Sequence, residues 1–397
     1  MLGMSEVDVL RLRENWLRLA ENIRGLALRS FVRQLTRSEP RIKVLRGFRG
    51  VGKTTALLQL VDDNSAYFSM DNPIAEMNSL YETGAALART GYSTLLIDEV
   101  QYYPHWRRDT KALYDEFPSL CIFASGSAPL AFEPERRYDV VEVNPLSLGE
   151  FVELKEKKET RVPDEYWRDK NKAVEFVAAR PQLYEHYSNY LNGGGFPTFF
   201  SYKEKTLASI YNSIRKSIRE DAPSFAKVDS ETILAMEKTL SFIATSPPGE
   251  FNASNLSKLL EVKKHRAYTV TELLESMHIL RRVRPCGQGA PFARGEPKLL
   301  FYHPNLRRAV CQALGKESNK GAEREELALF ALSGRGWKAS TIKGAKRTPD
   351  YLVQKNNETL IIEIGGPNKT TAQLREYKRQ FKTTTIDDRQ LMAMAAF

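Results

Sequence analysis

Apolar positions near the start of the chain recur every three or four residues, which is the spacing of an amphipathic helix. They are Val9, Leu12, Trp16, Leu19, Ile23 and Leu26. Ser5 precedes them, with the acidic residue Asp8 three positions later, and this pair has the form of a capping box. We therefore predict that Ser5 caps a helix with a buried apolar face.

Short apolar runs follow this helix, and helix-like segments lie between most of them. They span residues 42–45, 66–70, 94–97, 120–124 and 140–143. Runs of this length are typical of buried strands, and their alternation with helices predicts a parallel sheet with helical crossovers. The expected fold class is α/β.

Beyond residue 151 the pattern changes three times. A helical stretch rich in aromatic residues comes first; its charge run at residues 155–159 is interpreted as a solvated helix face. From about residue 232, three helical patterns precede a Gly/Pro-rich turn and a strand. From about residue 321, a helix precedes two apolar strands. We expect four domains, at residues 1–153, 154–231, 232–310 and 311–397.

Composition and charge exclude several classes of protein. The 397 residues are 42% hydrophobic, which excludes wholesale disorder. No apolar run approaches the ~18 residues of a membrane span, and the charged start of the chain is unlike a secretory signal. With three cysteines and no disulfide framework, we expect a cytoplasmic protein without a membrane partner. The net charge of +10 favours a polyanion partner such as nucleic acid, although basic proteins without one exist.

Residues 47–54 read GFRGVGKT and match the phosphate-loop pattern G-x-x-x-x-G-K-[ST] at every position. The motif follows an apolar strand and precedes a helix pattern, as this loop requires. Glycines let the backbone curl so that its N–H groups face phosphates. We expect Lys53 to reach the β- and γ-phosphates and the Thr54 hydroxyl to ligate Mg²⁺. The predicted ATP-binding residues are Gly47, Arg49, Gly50, Val51, Gly52, Lys53, Thr54 and Thr55.

A second motif ends the apolar run at residues 94–97 with Asp98 and Glu99. We expect Asp98 to hold Mg²⁺ through its water shell and Glu99 to polarise the attacking water. An acidic pair that merely ends a strand is the alternative for these two residues alone. Together with Lys53 and Thr54, the pair favours hydrolysis over nucleotide binding without turnover.

Two further candidates complete the predicted catalytic set. Ser127 ends the run Ser125-Gly126-Ser127 after the strand at residues 120–124, where a small polar side chain can sense the γ-phosphate or position water. An ordinary turn is the alternative for this run. Arg136 and Arg137 are both candidates for an arginine that stabilises transition-state charge, in the same chain or from a neighbouring subunit of a homo-oligomer. Solvated surface residues are the alternative for both arginines.

The chain resembles the archaeal-type ATPases of the AAA+/STAND-related branch. The motifs that carry the resemblance are GFRGVGKTT at 47–55, YFSMDNP at 67–73, LLIDEVQYYPHW at 95–106, LYD at 113–115, SGSA at 125–128, PLSLGEF at 145–151 and GGFP at 194–197. The resemblance implies a P-loop ATPase, a winged helix and a C-terminal PD-(D/E)xK nuclease-like domain. It places the sensor serine on Ser127 and the arginine on Arg137, although Arg136 stands where the family has glycine.

The two C-terminal domains carry candidate sites of their own. In the predicted winged helix, the basic residues Lys263, Lys264 and Arg266 stand at a helix start, where they can meet DNA phosphates. A protein-contact module is the alternative for this domain.

The predicted nuclease-like domain resembles the PD-(D/E)xK core, with Asp350 and Glu363 as metal-binding carboxylates and either Glu325 or Glu326 as the acidic residue of the preceding helix. Gly365 stands where the catalytic lysine belongs. Lys369, six residues beyond Glu363, could swing in to replace it, and a loop charge is the alternative for this lysine. We expect a degenerate nuclease fold.

The sequence thus predicts a Mg²⁺-dependent ATPase with a P-loop domain at 1–153, a helical lid at 154–231, a winged helix at 232–310 and a nuclease-like domain at 311–397. We expect ATP and Mg²⁺ as cofactors and double-stranded DNA as the partner. The alternatives are a nucleotide-gated DNA- or protein-binding switch with little turnover and an ATP-licensed nuclease. The lack of an N-K-x-D motif favours adenine over guanine nucleotides only weakly.

Overall fold

A computed structural model describes residues 4–35, 41–127, 137–246, 253–287, 296–342, 348–365, 374 and 377–397. The chain divides into two compact units. The first unit is Met1–Asn144 with Arg219–Val228, and the second is Pro145–Ile218 with Asp229–Phe397. Among the described residues, no helix is both long and apolar enough to cross a bilayer.

The elements are numbered in chain order. The strands are β1 (Ile42–Gly47), β2 (Ser65–Ser69), β3 (Thr94–Asp98), β4 (Cys121–Ser127), β5 (Tyr138–Glu142), β6 (Leu280–Val283), β7 (Lys298–Phe301), β8 (Lys338–Ser340), β9 (Tyr351–Lys355), β10 (Glu358–Ile364) and β11 (Lys382–Ile386). The helices of the first half are α1 (Glu6–Asn22), α2 (Lys53–Leu58), α3 (Pro73–Met77), α4 (Leu80–Arg89), α5 (Trp106–Glu116), α6 (Leu148–Glu156), α7 (Glu165–Arg168), α8 (Lys170–Ala178) and α9 (Leu183–Asn189). Those of the second half are α10 (Phe199–Tyr202), α11 (Thr206–Lys216), α12 (Ala222–Phe225), α13 (Ser230–Thr245), α14 (Ala253–Leu260), α15 (Lys264–Ser276), α16 (Pro304–Ala313), α17 (Lys320–Gly334) and α18 (Asp388–Ala395).

The first unit is built on a parallel sheet with strand order β2-β3-β4-β1-β5. This confirms the α/β class and the parallel sheet predicted from the apolar runs. The central strands are apolar on both faces because both faces are covered; Leu95, Leu96 and Ile97 of β3 are each 0% exposed. Since all five strands run the same way, their carboxyl ends meet at one edge of the sheet.

Helix α1 covers part of this unit and is capped as expected, with the Asp8 N–H donating to the Ser5 hydroxyl at 3.2 Å. Leu12 and Trp16 are buried, and the Trp16 ring meets Tyr92 edge-on. The apolar spacing continues to Leu26, but the helix ends at Asn22. The reason lies in the turn that follows, where Gly25 adopts a left-handed φ of +88°.

The second unit contains an antiparallel pair, β6-β7, and a sheet of order β11-β10-β9-β8. In this sheet β8, β9 and β10 are antiparallel neighbours, and β11 runs parallel to β10. The apolar core beneath it draws on α6, α8, α17 and α18, with Trp167, Phe176 and Leu327 among its fully buried side chains.

The motifs PLSLGEF at 145–151 and GGFP at 194–197, both in the second unit, pack against each other. The Leu146 N–H donates to the Gly195 carbonyl at 2.7 Å. A β-carbon on Gly194 would lie 2.8 Å from the Phe151 ring, and one on Gly195 would lie 2.3 Å from the His303 ring. The glycines at residues 194–195 are therefore required by close packing, and these motifs build the core of the second unit.

Candidate nucleotide-binding site

The loop at residues 47–54 connects β1 to α2 and needs glycine at three points. A β-carbon on Gly47 would lie 2.0 Å from the Val143 carbonyl oxygen, which follows the neighbouring strand. Gly50 and Gly52 have left-handed φ values of +80° and +95°. Side chains with a β-carbon rarely adopt that conformation, so this curled backbone depends on the glycines of the motif.

Lys53 is buried at 7% exposure and lies inside the curl of this loop. Its Nζ donates to the carbonyl oxygens of Gly47 and Phe48 at 2.8 and 3.0 Å. Burial lowers the pKa of Lys53, while the carboxylates of Glu99 and Asp98 oppose that change. An ammonium that donates to two neutral carbonyls can be drawn to the stronger charge of a phosphate.

Asp98 ends β3 and is held by donors on both sides. Tyr67 donates its hydroxyl to Oδ2 at 3.0 Å, and the Ser125 hydroxyl and the Glu99 N–H donate to Oδ1, the latter at 3.1 Å. The carboxylate is 2% exposed and fixed in orientation. Tyr67 and Ser125 were not predicted as site residues, although both lie in the motifs quoted above and on the strands that flank β3.

Glu99 adopts a left-handed φ of +52°, which is uncommon for a side chain with a β-carbon and costs about 1 kcal/mol or more. This conformation turns the chain sharply after β3. The Gln101 amide donates to the Glu99 carboxylate. Burial and the nearby charge of Asp98 raise the pKa of Glu99, while Lys53 and the Gln101 hydrogen bond lower it. A carboxylate with a raised pKa is better suited to accept a proton.

Ser127 ends β4 beside the loop, paired in register with Gly47. The side chain is 2% exposed, and within the described part of the chain its hydroxyl has no hydrogen-bond partner. A buried hydroxyl without a partner is costly in a folded protein, and a ligand at the loop can supply the missing partner.

The structure does not bring Arg137 to this edge of the sheet. Tyr138 pairs with Ile42 at the amino end of β1, about 16 Å along the strands from Gly47. The Arg137 guanidinium forms a half-exposed ion pair with Asp115 at 3.4 Å. Arg136 lies outside the described residues. A role for Arg137 from a neighbouring subunit stays a prediction.

The remaining predicted ATP-binding residues lie on the loop and at the start of α2. The Arg49 guanidinium donates hydrogen bonds to the Asp221 carboxylate and to the Tyr102 hydroxyl. Val51 is fully buried, and its carbonyl accepts a hydrogen bond of 2.6 Å from Arg29, a residue that the sequence did not single out. Thr55 follows Thr54 in the first turn of α2.

A cavity of about 390 Å³ opens at this edge of the sheet, and Thr54, Asp98 and Glu99 line it. A hydroxyl and a carboxylate are oxygen ligands of the kind that Mg²⁺ prefers, and two such groups from the protein are enough when water and phosphates complete the shell. The residues present therefore fit a bound Mg²⁺ together with a nucleoside triphosphate.

The loop, both motif carboxylates and β1 to β5 lie within residues 39–152, which match the family model described as an AAA domain. This part of the chain is therefore similar to AAA domains, and we call it the AAA-type domain. Residues 184–319 match a second model, described as a domain of unknown function, DUF8612.

Relatives of known sequence or structure are distant. The uncharacterised protein MJ1637 of Methanocaldococcus jannaschii is 26% identical over 86% of this chain and 79% of its own length. A STAND protein with a tetratricopeptide repeat sensor, PH0952 of Pyrococcus horikoshii, is 13% identical with a TM-score of 0.25; the match covers 74% of this chain and 43% of that protein. This chain thus spans less than half of the STAND protein.

Two more solved structures are similar at the same level. The replication initiator DnaA, bound to AMPPCP and single-stranded DNA, is 15% identical with a TM-score of 0.25, over 65% of this chain and 86% of that chain. C. elegans PCH-2 is 14% identical with a TM-score of 0.26, over 68% and 70% of the two chains.

Outside the AAA-type domain, the structure brings the predicted nuclease-like carboxylates only partly together. The Asp350 N–H donates to Glu363 Oε2 at 3.0 Å, and the Ile364 N–H donates to Asp350 Oδ2 at 2.7 Å. Glu325 instead binds the Tyr351 hydroxyl at 2.6 Å and the Lys298 ammonium. Across the described residues, no group of three or more His, Cys, Asp or Glu side chains is placed to hold a metal ion. Lys369 lies outside those residues.

The three predicted DNA contacts lie at the start of α15. Lys263 is its N-cap residue, and the Lys264 ammonium lies 5.9 Å from the centre of the Tyr268 ring. Arg266 is tied to α13 by ion pairs with Glu231 and with Asp229, the latter at 3.1 Å. The two lysines are thus exposed cations, whereas the arginine joins two helices.

Proposed function

We propose that this chain is a Mg²⁺-dependent ATPase that hydrolyses ATP at the carboxyl edge of its AAA-type domain. The observation that carries the proposal is that the phosphate loop and the acidic strand end meet at one cavity. Lys53 lies in the loop, and its neighbour Thr54 lines this cavity together with Asp98 and Glu99. A phosphoryl-transfer site needs a cation for the phosphates, a metal ligand and a base for water, and these residues supply all three.

Each residue has a defined task in this proposal. The Lys53 ammonium leaves its two carbonyl acceptors to meet the β- and γ-phosphates. Thr54 and Asp98 would hold Mg²⁺, which when bound neutralises phosphate charge. Glu99 orients the attacking water and accepts its proton. Ser127 donates its buried hydroxyl to the γ-phosphate.

Equilibrium binding tests the first half of this proposal. Wild-type protein titrated with Mg²⁺ and ATP should bind, and Lys53→Ala should bind far more weakly because the cation for the phosphates is lost. GTP titrated in parallel reports the base preference. ATP affinity that is equal in the wild type and Lys53→Ala would place the nucleotide elsewhere.

A switch with little turnover is the second candidate, and turnover separates it from the ATPase. Both candidates predict nucleotide binding, but only the ATPase predicts that Glu99→Gln lowers the rate of phosphate release. Glu99 favours the ATPase because its pKa is raised and its position beside Asp98 is fixed by the turn after β3.

We further propose that α13, α14, α15 and the β6-β7 pair form a winged helix that contacts double-stranded DNA through phosphates. Support comes from the exposed Lys263 and Lys264 at the start of α15. Their joint replacement by alanine should weaken binding on all sequences, with an affinity that falls steeply as salt rises. Arg266→Ala is the comparison variant, because its ion pairs to α13 give it a structural role. Wild-type protein that retains no DNA at physiological salt would favour a protein-contact role.

For the β8–β11 sheet with α17 we propose a degenerate nuclease fold that cuts nucleic acid feebly or not at all. Gly365 offers no side chain where the catalytic lysine belongs, and Glu325 is already paired with Lys298. A panel of linear, supercoiled and single-stranded DNA with Mg²⁺ or Mn²⁺, with and without ATP, tests this. Robust cutting that disappears in Asp350→Ala would establish the ATP-licensed nuclease instead.

A homo-oligomer would give Arg137 a role that its own chain does not allow. From a neighbouring subunit, its guanidinium could reach the γ-phosphate of the next site. Sedimentation with and without ATP, for the wild type and for Arg137→Ala, tests this. Full activity of a strictly monomeric protein would rule out a contribution of Arg137 from another subunit.

A further inference from the structure

Arg49 projects from the phosphate loop to a carboxylate far along the chain. Its Nε donates to Asp221 Oδ2 at 2.9 Å and its Nη2 donates to Oδ1 at 2.6 Å, across a separation of 172 residues. Asp221 is 1% exposed. Although burial alone lowers the pKa of Arg49, the hydrogen bonds and charge of Asp221 raise it above its ordinary value. This two-point pairing fixes the direction of the guanidinium.

The same guanidinium contacts the turn that follows the proposed catalytic carboxylate. Arg49 Nη2 also donates to the Tyr102 hydroxyl at 2.7 Å. Tyr102 ends the 3-10 turn Val100–Tyr102, which begins directly after Glu99. Arg49 therefore joins the phosphate loop, the turn after β3 and the segment that contains Asp221.

The segment Arg219–Val228 belongs to the first unit by its contacts but is flanked on both sides by the chain of the second unit. Within the first unit, α12 of this segment packs against the turn Val100–Tyr102. Before it lies α11, and after it lies α13. The segment therefore joins these two helices along the backbone.

We propose that Asp221 is a positioning residue that keeps the Arg49 guanidinium paired, and so withheld from phosphate oxygens, until nucleotide binds. This proposal rests on the proposed function. Phosphate and carboxylate compete for the same guanidinium because both offer paired oxygens to its planar fork. When Arg49 turns to the phosphates, Asp221 is left buried without its cation, which is unfavourable. The segment Arg219–Val228 then loosens from the loop. Nucleotide binding thereby alters α11 and α13, which this segment joins.

Asp221→Asn tests the proposal in a Glu99→Gln background, where turnover is suppressed. Because the competing charge is gone, the Kd for ATP with Mg²⁺, measured by calorimetry, should fall by about fivefold or more. The matched control is Glu220→Gln, which makes the same charge change at the adjacent, exposed position and should leave the Kd unchanged. In an Arg49→Ala background, Asp221→Asn should have no further effect, because the pair is already broken.

Hydrogen exchange of the amides at residues 219–228 supplies a second readout, and its wild-type arm does not depend on any variant folding. In the wild type, ATP should speed exchange in this segment, and in Asp221→Asn exchange should be fast without ATP. Wild-type protein that binds ATP with no change in this segment, together with an unchanged or weaker affinity of Asp221→Asn, overturns the proposal and leaves the ATPase intact. If no form of the protein binds nucleotide, the proposed function fails and this proposal fails with it.

Discussion

Tyr67 and Asp98, on the neighbouring strands β2 and β3, are joined by a hydrogen bond of 3.0 Å from the phenol to the carboxylate. The bond is buried, and it raises the pKa of Tyr67 beyond the effect of burial itself. It fixes the carboxylate that the site would present to Mg²⁺, so metal binding should depend on an aromatic residue that cannot itself ligate the ion.

Tyr67→Phe should therefore raise the Mg²⁺ concentration needed for half-maximal phosphate release. It should also lower the free energy of unfolding by about 1–3 kcal/mol, because a buried carboxylate loses a donor. Tyr81→Phe is the control, since it removes a phenol that bonds to the exposed Glu116. An unchanged Mg²⁺ requirement in Tyr67→Phe would show that Asp98 does not hold the metal.

Replacement of Ser125 and of Ser127 by alanine should have different effects on stability and on phosphate release. Ser125 donates to Asp98, so Ser125→Ala should destabilise the protein and weaken Mg²⁺ use together. Ser127 has a buried hydroxyl with no partner among the described residues, so Ser127→Ala should leave stability equal or slightly higher while slowing phosphate release. Melting temperatures and rates measured on both variants separate the two roles. A Ser127→Ala enzyme of wild-type rate would remove the sensor assignment.

The pH profile of phosphate release should show the raised pKa of Glu99. Activity requires the carboxylate, so the rate should fall on acidification at a pH above the ordinary value of 4.5. The Gln101 amide stabilises the charged form, and Gln101→Leu should therefore move this acid limb to higher pH. Gln59→Leu, which alters an exposed amide of the same domain, is the control. A limb that moves to lower pH in Gln101→Leu would contradict the account.

The buried carboxylate of Glu326, in α17 of the second unit, leads to a prediction about how the stability of the fold depends on pH. It is fully buried, and burial raises its pKa to about 7, while its pair with Arg307 opposes the rise. Since the folded state then binds a proton that the unfolded state releases, this group stabilises the fold increasingly as the pH falls from 8 to 5. The wild type should therefore gain urea resistance relative to Glu326→Gln over that range, with Glu323→Gln as the matched control on the same helix. A gain of the wild type toward high pH would show that the ion pair dominates.

The sheet and the AAA-type domain were predictable from sequence because their signals are local. Five apolar runs predicted five parallel strands, and GFRGVGKT carries in eight residues the glycines that its curled backbone needs. The sequence could not predict which side chains fix these groups. The side-chain donors to Asp98 come from two other strands, and the partner of Arg49 is 172 residues away. The end of α1 at Asn22 was missed because apolar spacing continues past a glycine turn.

Phosphate release under saturating ATP and Mg²⁺ tests the central claim most directly, measured on the wild type, Lys53→Ala and Glu99→Gln, with binding of ATP followed in the same samples. We predict that the wild type binds ATP and releases phosphate, and that Lys53→Ala neither binds ATP nor releases phosphate. Glu99→Gln should bind ATP but release phosphate at least about a hundredfold more slowly, because it has lost the catalytic base. Equal phosphate release by wild type and Glu99→Gln, with ATP bound by both, would contradict the account and leave only a nucleotide-binding switch.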